Sequence, residues 1–96
     1  MELEKQLQSK EVQELARAVL KLRNEEEALA FFRDVLTLEE LQYISRRWAV
    51  ARMLAKKMTF EEIERKTNMS SATISRVNYW IHHGMGGYKS MLKRCS

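Results

Sequence analysis

No proline occurs among these 96 residues, and the three glycines stand at positions 84, 86 and 87. Little therefore punctuates the chain before Gly84, because the two residues that most readily interrupt a helix are missing there. That pattern favours an all-α protein, and the length is that of one domain. The expected organisation is a helical core over 9–57, a helix-turn-helix over 59–81, and a turn with a short helix over 82–96.

Apolar spacing and capping residues divide the chain into six helices. Val12, Leu15, Ala16, Val19, Leu20 and Leu22 form a stripe of period 3.6, predicting a helix from about Ser9 to Leu22. Asn24 is positioned to cap a second helix. Its opening Glu25, Glu26 and Glu27 suit the positive end of the helix dipole. Leu29, Phe31, Phe32, Val35 and Leu36 make it apolar on more than one side. Thr37 with Glu40 has the spacing of a capping box, starting a third helix that runs to about Lys56. Leu38, Leu41, Ile44, Trp48, Val50, Ala51 and Leu54 are its inner positions. Gly84 is placed to end the fifth helix, Gly86-Gly87 reads as a flexible turn, and Tyr88–Arg94 as a short last helix.

The segment 59–77 carries the one residue order that implies a specific chemistry. Thr59 and Glu62 form a second capping-box pattern, and Phe60, Ile63 and Thr67 share a face of a short helix. Thr67-Asn68-Met69 reads as a turn in which Asn68 takes positive φ. Ser70 or Ser71 then caps the next helix. Met69, Ile74 and Val77 are expected inside. Ser71, Ala72, Thr73, Ser75, Arg76 and Tyr79 are expected outside or at the boundary. Small side chains at the helix start allow entry to a major groove, and hydroxyls, a methyl and a guanidinium read base edges or hold phosphates.

Charge separates along the chain. Residues 1–40 hold six Lys/Arg against ten Asp/Glu, whereas residues 41–96 hold eleven against three. Those three acids, Glu61, Glu62 and Glu64, all lie in the first helix of the motif, and the bases bracket it on both sides. A basic half surrounding a helix-turn-helix is the electrostatic footprint of a polyanion binder. Double-stranded DNA is the expected partner.

Other chemistries find less support. No apolar run is long enough to span a bilayer, and the acidic N-terminus is unlike a secretory signal. Cys95, the single cysteine, fits a reducing cytoplasm. His82 and His83 are adjacent and point apart on a helix, with no ligand-spaced Cys, Asp or Glu, so no metal is expected. No nucleophile–base arrangement or phosphate loop is recognisable, so neither enzyme activity nor a cofactor is expected. The first two helices carry more apolar surface than one small bundle hides. Phe31 and Phe32 point about 100° apart on a helix. A homodimer whose N-terminal helices form a shared core is therefore expected.

Leu36-Thr37, Glu39-Glu40, Arg46 and the run from Met58 to Arg76 resemble the trp repressor superfamily. Arg47-Trp48, Ala72-Thr73-Ile74-Ser75-Arg76-Val77-Asn78 and Gly84 with Gly86-Gly87-Tyr88 resemble its trp repressor-related subgroup. The resemblance implies an intertwined all-α homodimer of six helices that regulates transcription, as a repressor. It places Ser71, Ala72, Thr73 and Ser75 at or near base edges, with Arg65 and Lys66 within reach of phosphates; the helix pattern itself adds Ser70 at the cap and Tyr79 on the outer face as candidate DNA contacts. The resemblance also implies an effector cleft, in which Arg46 (or its neighbour Arg47) and Arg76 match two arginines that sandwich an indole. Val77 follows where the repressor has glycine, and Trp80, a donor-only side chain, stands where a serine holds the ligand's ammonium. The expectation is that tryptophan does not bind. A small-molecule effector of another kind stays open, as does a helical protein-interaction module without specific DNA binding.

Overall fold

The structure, a computed structural model, describes residues 5–96. It contains six α-helices and, among the described residues, no strand. The chain divides into two compact units, one ending at Leu41 and one running from Gln42 to Ser96.

In the first unit a short 3-10 turn, Lys5–Gln8, precedes α1 (Lys10–Val19). Ser9 caps α1, its Oγ accepting the Val12 N–H at 3.2 Å. The helix ends three residues before the predicted Leu22. The Lys21 and Leu22 amides instead donate to the carbonyls of Ala18 and Val19, closing a tighter final turn. α2 spans Glu25–Val35. Asn24 Oδ1 accepts the Glu27 N–H at 2.9 Å, while Glu27 Oε1 accepts the Arg23 N–H at 3.0 Å. α3, Leu38–Ala55, opens on the expected box. Thr37 N–H donates to Glu40 Oε1 at 2.8 Å and Glu40 N–H to Thr37 Oγ1 at 3.1 Å. No side chain of α1 or α2 is buried. Leu15 is 46% exposed and Leu29 58%. Phe31 and Phe32 are half-buried, their rings tilted against one another at 6.1 Å.

The second unit comprises the remainder of α3, α4 (Phe60–Thr67), α5 (Ser71–His83) and α6 (Gly87–Arg94). Val50, Ala51, Ile63, Met69, Ile74 and Val77 form its core, with Trp48, Met53, Leu54, Met58, Ile81, Tyr88 and Leu92 packed around them. Two predicted inner positions of α3, Leu38 and Ile44, are exposed instead. Burial along α3 starts only where α4 and α5 lie against it, at Val50 and Ala51. Phe60, which shares a face of α4 with Ile63, is exposed. As the first residue of α4 it sits on the rim, a turn before the buried Ile63.

α3 stops through a feature the sequence pattern did not show. Lys57 adopts the left-handed conformation at φ 65°. Its N–H donates to Leu54 O, and Met58 N–H reaches back to Met53 O. This is a Schellman stop with lysine where glycine is usual. At the other end of the unit, Gly84 closes α5 by donating to Trp80 O at 3.0 Å. A Cβ at Gly84 would lie 2.5 Å from that same oxygen, so close approach, not positive φ, requires glycine there. The predicted Gly86-Gly87 turn is shorter than expected. Gly86 takes φ 85°, but Gly87 is already the first residue of α6. Tyr88 then stacks on Trp48 at 6.4 Å with the planes 2° apart, fastening α6 to α3.

Candidate nucleic-acid interface

α4 and α5 are set relative to each other by local hydrogen bonds and a few buried side chains. Thr59 Oγ1 accepts the Glu62 N–H at 3.2 Å, and Thr59 N–H donates to Glu62 Oε1 at 3.1 Å, completing the predicted capping box. α4 ends at Asn68, at φ 60° and ψ 21°, whose N–H donates to Glu64 O at 2.9 Å. Asn is the non-glycine residue best suited to that conformation. Thr67 Oγ1 braces the turn by donating to Ile63 O at 2.7 Å and accepting the Met69 N–H at 3.2 Å. Of the two serines, Ser70 is the cap of α5. Its Oγ accepts the Thr73 N–H at 3.2 Å and lies 3.1 Å from Thr73 Oγ1. Ser71 is thereby released to become the first helical residue.

Ile63, Met69, Ile74 and Val77 point into the core and hold both helices by one apolar face. The opposite face of α5 is open. Ser71, Ala72, Ser75, Arg76 and Tyr79 are exposed, and Thr73 is half-buried by its contact with Ser70. No acidic residue occupies the first turn of α5, so its positive dipole end is uncompensated and favours an anion. Arg65 and Lys66, both exposed, close the last turn of α4 just before the junction. Every residue predicted to meet DNA thus lies on α4's last turn, the cap or the outer face of α5. One partner was not foreseen. Tyr79 packs against His83, four residues on, with ring centroids 4.7 Å apart, and edge-on to Trp80 at 5.6 Å.

Hydrogen bonds from the Thr59 backbone and hydroxyl hold the Glu62 carboxyl below its ordinary pKa, with smaller help from Arg65 and Lys66. A carboxylate lowered on folding stabilises fully above its unfolded value and loses that contribution as pH falls through the folded one. Glu62→Gln keeps an oxygen acceptor but removes the titration. The stability difference between wild type and Glu62→Gln is therefore expected at neutral pH and should shrink to nothing below the ordinary carboxylate range. Thermal melts of both proteins across that range check it, and a difference independent of pH would refute it.

The residues of the expected effector cleft occupy different environments. Arg46 and Arg76 are exposed. Arg47 is half-buried, its guanidinium 5.8 Å from the Tyr43 ring centroid. Val77 is 1% exposed, so its branched side chain fills the core. Trp80 is 45% exposed beside Tyr79. Among the described residues no three His, Cys, Asp or Glu side chains gather in a metal-binding cluster. Among the described residues no helix is long and apolar enough to cross a membrane.

The sequence pattern of the family described as Trp repressor protein matches residues 10–96. The chain belongs to that family. Trp repressor-like proteins are DNA-binding regulators, not enzymes. The chain is 39% identical over 94 residues to YerC of Bacillus subtilis (strain 168), an uncharacterized protein, covering 98% of this chain and 89% of that one. The crystal structure of a TrpR-like protein from Eubacterium eligens ATCC 27750 superposes with a TM-score of 0.91. It is 39% identical, covering 96% of this chain and 95% of that one. A second crystal structure, from Staphylococcus aureus, gives a TM-score of 0.87 at 38% identity, covering 94% and 90%. These Trp repressor relatives span α1 to α6, so the match includes the helix-turn-helix and both flanks.

Proposed function

We propose that this chain is a sequence-specific duplex DNA-binding repressor that acts as a homodimer and reads the major groove with residues 71–79. The observation that carries the reading is the two-sidedness of α5. Ile74 and Val77 anchor it in the core, while Ser71, Ala72, Ser75, Arg76 and Tyr79 stay exposed in a half of the chain with eleven bases and three acids. In the proposed complex the N-terminal turn of α5 enters the groove, where Ala72 and Thr73 meet base edges and Ser71 with the first amides meets phosphate. Ser75, Arg76 and Tyr79 follow along the same face, with Arg65, Lys66 and Ser70 on the flanking backbone.

The exposed apolar faces of α1 and α2 support a second copy as partner. Two-fold pairing presents two reading helices about one DNA turn apart, which suits a near-palindromic site. Selection of bound genomic fragments would supply that site. Thr73→Ala is then expected to narrow the gap between the site and unrelated DNA by about 1–3 kcal/mol. Lys66→Ala should weaken all duplexes alike and make the salt dependence shallower by about two contacts, one from each subunit. Affinity that is insensitive to salt would overturn the reading.

We also infer that tryptophan is not the co-repressor. Trp80 places a bulky donor where the repressor's serine accepts the ammonium, and Val77 is committed to the core. Calorimetry with L-tryptophan should show no binding tighter than about 100 μM, or about −5.5 kcal/mol.

A further inference from the structure

We propose that the ends of α3 and α6 together form a second phosphate-binding surface, which holds duplex DNA outside the bases read by α5. The inference rests on the proposed DNA binding. Arg52 and Ala55 of α3 and Lys56, the residue after it, line one shallow cleft with Leu92, Cys95 and Ser96, at and beyond the end of α6. Leu92 packs on the core, which keeps the two helix ends together. Arg52 and Lys56 are four residues apart on one side of α3, and Lys89 and Lys93 have the same relation on α6. Lys57 follows at the left-handed stop and Arg94 in the last turn of α6. All six cations are exposed. None is ion-paired with another described residue, and neither 42–60 nor 65–96 contains an acid.

A simpler role for such bases is to answer the negative ends of two helices. The magnitudes leave most of the charge unexplained. Each C-terminus presents about half an elementary charge, so two ends offset about one of the six cations. The surplus is spread across two helix ends instead of converging on one point. An extended polyanion suits that layout, since a duplex presents a charge about every 1.7 Å along its axis. These bases belong neither to the last turn of α4 nor to α5, so they add contacts beyond the read site.

The test compares a short duplex limited to the read site with one extended at each end by about two turns of about 10 bp. Wild type is expected to show a steeper salt dependence on the long duplex. Arg52→Gln/Lys56→Gln and, separately, Lys89→Gln/Lys93→Gln should each make that slope shallower by about 3.6, two contacts on each of the two subunits at about 0.9 per phosphate contact. The short duplex should be unaffected, and Lys5→Gln/Lys21→Gln, an equal charge loss in the acidic half, should leave both slopes unchanged. Circular dichroism checks that every variant folds. Equal wild-type slopes on the two duplexes, or pairs that behave like the control, overturn the second surface while leaving the α5 reading intact. Wild type that binds neither duplex overturns both.

Discussion

Ile74→Ala is expected to cost about 2–5 kcal/mol of unfolding free energy, the range for large-to-small substitution at a fully enclosed aliphatic position. Ile74 is wholly buried against Ile63, Val50 and Val77, so few neighbouring side chains are free to collapse into the space. A small domain has only about 5–15 kcal/mol in total. The loss is therefore a large fraction of the stability that keeps α5 presented. Urea unfolding followed by circular dichroism measures it, with Ser75→Ala as the control. Ser75 is the next residue but exposed, and should change stability by no more than about 0.5 kcal/mol. DNA affinity of Ile74→Ala should fall with its folded fraction, whereas Ser75→Ala should alter affinity without altering stability. A cost below about 1 kcal/mol at Ile74 would mean that the core does not hold the reading helix as described.

Leu15→Asp with Leu29→Asp is expected to convert the proposed homodimer into single chains. Both leucines are exposed in the isolated chain, and a carboxylate brought into an apolar interface is costly unless paired. Separated chains lose the second, intramolecular binding event on a two-fold site. Affinity for that site should fall by about 10²–10⁴-fold, while affinity for a half-site stays as it was. Sedimentation equilibrium reads the association and a gel shift reads the affinity. Wild type that sediments as one chain would remove the dimer from the account. Double variants that remain dimeric would place its interface elsewhere.

The local features were the more legible ones. The caps at Asn24, Thr37–Glu40 and Thr59–Glu62 form as expected, because each depends on side chain-to-backbone bonds across three residues and on nothing distant. Asn68 takes positive φ for the same reason. Lys57 does so as well, but lysine carries no signature for that conformation. Only its amide bonds back to α3 reveal it. On the candidate surface, the outward residues of α5 follow from Ile74 and Val77 pointing inward. The choice of Ser70 over Ser71 as cap, and the contact of Thr73 with Ser70, depend on torsions that residue types leave open.

The sequence by itself determined the helical content, the caps at Asn24, Thr37 and Thr59, the inward Met69, Ile74 and Val77 of the helix-turn-helix and the concentration of base after residue 40. Each of these is a matter of spacing along one helix or of counting charge. Only the tertiary structure decided which apolar positions are covered. Ile44 stands seven residues before Ala51 on the same face of α3, yet it is exposed while Ala51 is enclosed. Periodicity names a face but not what packs against it. The same holds for the Trp48–Tyr88 stack and for the approach of Gly84 to Trp80 O. Both are distances set by how helices meet, a property that no single helix encodes.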